Sequence, residues 1–405
     1  MLTPFRPMKT TKNFRLSPSA LLCTPMTALI IAIFLLVSGC STNAQDPVSL
    51  LSSDFRIPTL DLSQVTRLQT VVDREGGQYL GHPTTVLLDD GNTVLTTYPK
   101  GHGKGEIVYK RSLDGGRSWS ERLKTPASWA SSLEVPTLFR FHRANGSPRI
   151  LLFSGLYPIR MASSDDDGGS WSELVPIGDF GGIVAMSSMV QTSNGALVTF
   201  FHDDGRFFKD GGSRDSFTVY QSVSVDEGLT WNEPEVVVSD PTLELCEPGS
   251  IWSPDKSELL LLLRENSRTS LSHYVSSRDE GNTWSRPTIL PAELTGDRHT
   301  ARYLNDGRLF IAFRDMAPNS PTKGDWIAWI GTFEDIINGR PGQYRIRIMD
   351  NTNAWDSTYP GVEILPDGTI VTTTYGHWAA GEEPYIVSVR LHPSELDDWL
   401  QHLNS

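Results

Sequence analysis

The chain has 405 residues, with 35 Lys and Arg against 48 Asp and Glu, and a formal net charge of −13 at pH 7. This acidic balance argues against nucleic acid as a partner, because phosphate backbones attract basic surfaces. Of the three cysteines, two fall within the first 40 residues and only Cys246 remains beyond them. A domain without disulfides must be held together by its hydrophobic core, and this chain is long enough for one large core.

Residues 1–40 predict a segment that is separate from the folded domain. Four basic residues precede the apolar run 27–37, which ends in Val37-Ser38-Gly39-Cys40. This order resembles a bacterial lipoprotein signal, in which cleavage leaves Cys40 as a lipid-bearing N-terminus. An ordinary signal peptide or a short membrane anchor is the alternative. We therefore expect an exported chain anchored to the cell envelope, at the outer membrane or facing the periplasm. Residues 41–63 would be a tether and residues 64–405 the folded domain.

One eight-residue pattern, Ser-x-Asp-x-Gly-x-x-Trp, occurs at residues 112–119, 164–171, 224–231 and 277–284. The Ser and Asp side chains can bond the backbone of a turn, while Gly accepts a positive φ and Trp packs beside it. Four copies at a nearly constant period predict an all-β repeat architecture. The pattern marks the fold and carries no catalytic chemistry of its own.

Short turns between apolar segments define the repeats. They are Asp90-Gly91, Asn145-Gly146, Asn194-Gly195, Asp255-Lys256, Asp306-Gly307 and Asp367-Gly368. Most are of the Asn-Gly or Asp-Gly type that closes a tight hairpin, and a third strand follows each hairpin. Six such units predict a six-bladed β-propeller. We expect residues 65–72 to supply the outer strand of the last blade, and residues 393–403 to form a surface helix.

The predicted site lies at one end of the central channel. The first strand of each blade lines a propeller channel, so residues equidistant from a hairpin turn meet at the same mouth. This pairs Glu247 with Arg264, His299 with Arg314, Tyr359 with Tyr375 and His82 with Tyr98, and it adds His202 from the third blade. Each residue alone is better explained as a solvated loop residue. Because several blades deliver such residues to one rim, we expect a binding site there.

Together these features resemble the Asp-box sialidases, which are retaining exo-neuraminidases on a six-bladed propeller. The resemblance implies a glycosidase that removes a terminal sialic acid, or a related acidic sugar, from a glycan substrate. It also implies a tyrosine nucleophile activated by a glutamate, a carboxylic general acid, and three arginines around the substrate carboxylate. Neither a cofactor nor a metal is expected.

The resemblance assigns the catalytic roles to residues of this chain. Tyr359, in Tyr359-Pro360-Gly361-Val362, corresponds to the nucleophile: a neutral phenol can approach an anomeric carbon whose carboxylate would repel an anion. A phenol with a pKa of about 10 needs a neighbouring base, and Glu247 fits that role. Glu106, just before the first marker, corresponds to the general acid, with His102 as the alternate.

The arginines depart from the family pattern. The stretch Leu80-Gly81-His82-Pro83 has no arginine where the family has its first, and Arg56 in Phe55-Arg56-Ile57-Pro58 lacks a blade hairpin after it. The substrate-binding residues implied are therefore Arg264, Arg314, Arg298, His299, His82 and His202. Two alternatives stay open: a lyase or hydrolase acting on uronic-acid glycans, and a carbohydrate-binding propeller without catalytic activity.

Overall fold

The computed structural model describes residues 46–208 and 217–405. The predicted signal and Cys40 lie outside these residues. None of the helices in the described part of the chain is long and apolar enough to cross a membrane. Before the first blade come β1 (Ser49–Leu51), β2 (Thr59–Asp61) and β3 (Gln69–Asp73).

The strands of residues 46–208 and 217–405 form six sheets, the blades of a β-propeller, which confirms the predicted fold. Blades one to three contain β4 (Thr84–Leu87), β5 (Val94–Pro99) and β6 (Ile107–Ser112); β7 (Thr137–His142), β8 (Pro148–Ser154), β9 (Arg160–Ser164) and β10 (Val175–Pro176); and β11 (Ile183–Gln191), β12 (Leu197–Asp203), β13 (Thr218–Ser224) and β14 (Glu235–Ser239). Blades four to six contain β15 (Leu245–Trp252), β16 (Leu259–Glu265), β17 (His273–Ser277) and β18 (Thr288–Ile289); β19 (Gly296–Tyr303), β20 (Leu309–Asp315), β21 (Trp326–Gly331) and β22 (Tyr344–Met349); and β23 (Gly361–Ile364), β24 (Ile370–Gly376) and β25 (Tyr385–Leu391). Two helices described by the structure are α1 (Phe333–Ile337) and α2 (Pro393–Asn404).

The first strands of the six blades form a closed ring. Strands β4, β7, β11, β15, β19 and β23 each contact the next in this order, and β23 contacts β4. The ring is closed by the N-terminal strand β3, which pairs antiparallel with β25 as the outer strand of blade six. This pairing confirms the predicted outer strand for residues 69–72, whereas residues 66–68 form a short 3-10 helix before it. It also removes a free sheet edge.

Part of the stretch assigned to a tether belongs to the folded domain. Strand β2 pairs parallel with β22, and β1 pairs with β2, so both extend the outer edge of blade five. This corrects the predicted boundary at residue 63. The Arg56 side chain, beside β2, donates to Glu293 at 3.0 Å, which gives this arginine a structural partner away from the channel mouth.

Alternate residues of a central strand pack against opposite neighbouring blades. In β16, Leu259, Leu261 and Leu263 pack in a cluster with blade three, whereas Leu260 and Leu262 pack in a cluster with blade five. A strand buried on both faces reads as a continuous apolar run. This arrangement explains the five consecutive leucines.

The four marker turns have the predicted geometry. In the second, Gly168 N–H donates to Ser164 Oγ at 2.9 Å, and Ser170 N–H donates to Asp166 Oδ1 at 2.8 Å. Gly168 has φ of 77°. The turn also joins two blades, because Tyr109 of blade one donates its Oη hydrogen to Gly168 O at 2.8 Å.

Gly168→Ala is expected to lower the free energy of unfolding more than Gly195→Ala does. Both glycines have positive φ, 77° and 88°, but an added Cβ would lie 2.3 Å from Tyr109 Oη at Gly168 and meet nothing within 4 Å at Gly195. Backbone strain costs about 1 kcal/mol in both variants, and overpacking adds roughly 1–3 kcal/mol at Gly168. Urea denaturation of the two variants measures the difference; equal losses would refute the tight contact between blades.

Candidate active site

Bulges in the first strands turn side chains into the channel mouth. In blade four, Cys246 pairs with Arg264, and the next pair joins Gly249 to Leu262, so Glu247 falls in a bulge with φ of 52°. Such bulges occur where a strand must re-aim a side chain. The residue opposite Arg264 is therefore Cys246, which corrects the symmetrical pairing expected from the hairpin.

Blade five repeats this bulge. Asp297 pairs with Arg314 and the next pair joins Thr300 to Ala312, so Arg298 occupies the bulge with φ of 55°. Asp297 is therefore the partner of Arg314, and the predicted pairing of His299 with Arg314 is wrong. Blades one and six also have a residue with positive φ just before their first strands, His82 and Thr358.

The phenol of Tyr359 and the carboxylate of Glu247 are in contact. Tyr359 Oη donates a hydrogen bond to Glu247 Oε1, although the two residues lie 112 positions apart in the chain. Arg264 Nη1 donates to the same oxygen at 2.7 Å. The structure thus brings together the three residues that the sequence analysis assigned as nucleophile, base and substrate-binding arginine.

Burial and charge set opposite protonation states for this pair. Burial raises the pKa of Tyr359 well above 10, and the negative charge of Glu247 raises it further. Burial also raises the pKa of Glu247, but the Arg264 guanidinium and the Tyr359 hydroxyl together hold it below 4.5. At neutral pH the pair is therefore a phenol beside a carboxylate, which is the arrangement of a nucleophile and its general base.

Three arginines surround one fully buried carboxylate beside this pair. Asp297 accepts from Arg268 Nη1 at 2.6 Å and from Arg314 Nη2 at 2.6 Å, and Arg264 Nε lies 3.4 Å away. These arginines hold the pKa of Asp297 below its usual range despite burial. Arg264, Arg268 and Arg314 line a cavity of about 300 Å³ together with Tyr359.

Arg268 was missed by the sequence analysis. It stands four residues after Arg264, in a turn beyond β16, where its φ is 62°. Strand register predicts side-chain positions only within a strand. Because Arg268 lies beyond the end of β16, no strand pattern predicts that it lines the mouth. Its proximity in sequence to Arg264 was the available signal.

A second cavity of about 260 Å³ shares His82, His102, Arg264 and Tyr359 with the first and continues the pocket. Glu134 lines this part, and burial raises the pKa of its carboxyl above 4.5. The sequence analysis missed Glu134. No local pattern marks it, because Glu134 stands before the start of β7, where strand register does not place a side chain.

Glu106, the predicted general acid, is exposed and does not line either part of the pocket. Its carbonyl accepts from Lys100 N–H at 2.8 Å, closing the loop between β5 and β6. The tip of that loop directs His102 and Gly103 into the pocket instead. The distance from the marker therefore located a loop that reaches the pocket, but Glu106 itself lies outside the pocket.

The predicted histidines separate into two groups. His82 and His202 line the pocket: His82 Nε2 lies 3.1 Å from Tyr375 Oη, and His202 Nδ1 accepts from Glu247 N–H at 3.4 Å. Burial lowers the pKa of His202 to about 4, so this ring is neutral near pH 7. His299 bonds Leu294 O through Nε2 at 2.9 Å and lines the channel below the mouth, so its predicted place in the pocket is wrong.

Arg298 also lines the channel below the mouth, and its guanidinium carbon lies 5.8 Å from the centroid of the Tyr359 ring. It takes no part in the group of arginines around Asp297.

Within residues 46–208 and 217–405, no group of three or more His, Cys, Asp or Glu side chains is arranged to hold a metal ion.

A hydrogen-bonded network borders the pocket on the side of blades one and six. Tyr79 Oη lies 2.7 Å from His102 Nδ1 and donates to Asp356 Oδ1 at 2.8 Å. His377 Nε2 lies 3.3 Å from Asp356 Oδ2. This network fixes the His102 ring at the pocket wall.

The ring of blades, with a tyrosine–glutamate pair and an arginine cluster at one mouth, defines a sialidase-like six-bladed propeller. The family model described as "BNR repeat-like domain" matches residues 55–370, and the chain belongs to that family. It is 25% identical over 343 residues to a sialidase of Micromonospora viridifaciens, an alignment covering 73% of this chain and 50% of that protein. The chain thus spans about half the length of this relative.

Among the solved structures that share the fold are a glycosidase and a sialidase. An α-L-arabinofuranosidase, Arb93A of Fusarium graminearum, has a TM-score of 0.62 at 13% identity. The match covers 81% of this chain and 98% of the arabinofuranosidase chain. The K499G mutant of the NanB sialidase of Streptococcus pneumoniae has a TM-score of 0.56 at 13% identity. The match covers 81% of this chain and 71% of the NanB chain.

Proposed function

We propose that this protein is a retaining exo-glycosidase that removes a terminal acidic sugar, with sialic acid as the first candidate, from a glycan. The observation that carries the proposal is the hydrogen bond from Tyr359 to Glu247 in a pocket lined by three arginines. The distant sequence similarity to a sialidase supports the same class of reaction. Release of sialic acid from sialyllactose tests it, and no turnover of any sialoside would remove sialic acid as the substrate.

The first chemical step uses the contact between Tyr359 and Glu247. Glu247 accepts the phenolic proton as Tyr359 Oη attacks the anomeric carbon, and the glycosidic bond to the leaving oxygen breaks. A general acid gives that oxygen a proton. In the second step the same group takes a proton from water, which displaces Tyr359, and Glu247 returns the proton to the phenolate. The sugar leaves with its configuration retained.

The arginines can hold the substrate carboxylate even though Asp297 lies between them. Each terminal guanidinium nitrogen carries two N–H groups. Arg264 gives one bond from Nη1 to Glu247 and one from Nη2 to Asn266, which leaves one N–H on each nitrogen. Planar guanidinium groups bind carboxylates bidentately. Arg268 thus supplies the third cation of this pocket in place of Arg298, which lies below the mouth. With three arginines present, the departure from the family pattern gives less support to the alternative based on uronic acids.

We assign the general acid to Glu134, because it lines the pocket with Glu247 and its raised pKa favours the protonated form. With a sialyllactose substrate, Glu134→Gln is expected to lower kcat/KM by about 10²–10⁴-fold. With an aryl sialoside, whose leaving group needs no proton, we expect a loss of less than about 10-fold in kcat/KM.

Glu106→Gln is the matched control and should leave both values unchanged, because Glu106 is exposed outside the pocket. An equal loss of kcat/KM with both substrates in Glu134→Gln would show that the acid is another group. His102 would then be the next candidate, since it also lines the pocket.

A second candidate function follows from the two carboxyl groups. Glu134 and Glu247 line the same cavity. Retaining glycosidases that act on neutral sugars usually use two carboxyl groups as their catalytic pair. The structural similarity to an arabinofuranosidase agrees with this reading. An aryl α-L-arabinofuranoside tests it: turnover that survives Tyr359→Phe but not Glu247→Gln would favour this candidate over the first.

A further inference from the structure

A cavity of about 360 Å³ lies in the central channel beyond the candidate active site. All six first strands line it, and in blade five its lining runs from Arg298 at the bulge to Arg302 towards the hairpin turn. It therefore extends from the floor of the mouth to the opposite face of the propeller. The catalytic proposal makes no use of this space.

Arg298 is the unusual residue of this cavity. Only 6% of its surface is exposed, and it makes no hydrogen bond or ion pair with residues 46–208 or 217–405. The other buried arginines of blade five have carboxylate partners: Arg314 bonds Asp297 and Arg345 bonds Asp315, each at 2.6 Å. A buried guanidinium without a counter-charge is costly, because it has lost most of its water.

The other charged groups around the cavity leave a positive excess. Arg140 forms an ion pair with Asp89 at 2.6 Å, and the same carboxylate lies 3.0 Å from His142. Arg302 is exposed at the outer end of the cavity. Glu363 is the buried carboxyl here. Burial raises its pKa above 4.5, and Thr85 Oγ1 donates to it at 2.7 Å. None of these groups pairs with Arg298. Burial lowers the pKa of Arg298, and the charges that oppose this effect include Glu247 and Glu134 of the neighbouring pocket, but neither carboxylate forms an ion pair with it.

We propose that this channel cavity binds a small anion, of the size of a halide or phosphate, through the guanidinium of Arg298. A guanidinium presents a planar array of N–H donors that suits such ions. The volume admits one such ion with some of its water. The site is separate from the pocket lined by Arg264, Arg268 and Arg314, and it stands whether or not the protein is a glycosidase.

Bromide soaked into crystals of the wild-type protein tests the position of the site. The anomalous difference map is expected to show bromide against the Arg298 guanidinium in the wild type and in Arg302→Met, and no bromide there in Arg298→Met. Arg302→Met is the matched control, because it removes an arginine from the same strand and the same cavity. A wild-type map without bromide at Arg298, or an equal peak in Arg298→Met, would overturn the proposal.

Thermal unfolding in increasing phosphate tests the site in solution. The midpoint should rise with phosphate in the wild type and in Arg302→Met, and rise less in Arg298→Met. Equal rises in all three proteins would refute the site, as would a bromide peak without any stabilisation by phosphate in solution. Should Arg298→Met fail to fold, Arg298→Lys takes its place, with a weaker rise expected because lysine lacks the bidentate fork.

Discussion

Tyr359→Phe is expected to lower kcat for sialoside hydrolysis by on the order of 10³-fold or more, because it removes the attacking oxygen and leaves the ring in place. The phenol is buried and its hydroxyl bonds Glu247, so the substitution deletes one atom without opening a large cavity. Steady-state kinetics on sialyllactose, with the thermal midpoint measured in parallel, separates loss of chemistry from loss of fold.

Tyr303→Phe provides the matched control. Its hydroxyl donates to Trp252 O at 2.8 Å, outside the residues that line the pocket, so kcat should remain within about two-fold of the wild type. If Tyr359→Phe retained full activity, Tyr359 would not be the nucleophile. The two carboxyl groups of Glu134 and Glu247 would then be the remaining candidates.

Asp297→Asn is expected to lower the free energy of unfolding by about 3–5 kcal/mol, because it leaves three arginines without their shared, fully buried counter-charge. Asp165→Asn is the control: that carboxylate is 48% exposed and pairs with Arg149, so its loss should cost less than about 1 kcal/mol. Urea denaturation at pH 7 measures both. A loss of 1 kcal/mol or less in Asp297→Asn would show that the carboxylate is not needed to hold the arginines together.

The same substitution has a predicted pH dependence. The pKa of Asp297 is lowered in the folded state, so its contribution to stability is present above its unfolded pKa of about 3.9. The contribution is lost as pH falls towards the folded pKa. The difference in unfolding free energy between wild type and Asp297→Asn should therefore be constant from pH 7 to about 5 and shrink below about pH 4.

The fold could be predicted because its signals are local. Marker turns, tight hairpins and apolar strand segments each depend on a few neighbouring residues, and they lie where the sequence indicates. The outer edge of blade five could not be predicted, because β2 pairs with β22, which is separated from it by most of the sequence. No local pattern in residues 49–61 specifies so distant a partner.

The site was predictable only in part, because bulges change the register at the mouth. Counting from the hairpin placed His299 opposite Arg314. The hairpin pairs Tyr303 with Leu309, one position away from the assumed register, and the bulge adds one more, so Arg314 faces Asp297. Counting from the hairpins also selected Glu247 and Tyr359, and the family resemblance assigned their roles independently of register. Glu134 and Asp297, which depend on burial and on contacts between blades, could be recognised only from the structure.

The central claim is that Tyr359 forms the covalent bond to the sugar. A sialoside fluorinated beside the anomeric carbon slows the second step and lets the glycosyl-enzyme accumulate, so mass spectrometry of the digested protein can locate the adduct. We predict an adduct on the peptide that contains Tyr359. An adduct on the peptide with Glu134 or with Glu247, at a stoichiometry that matches inactivation, would contradict the proposed mechanism.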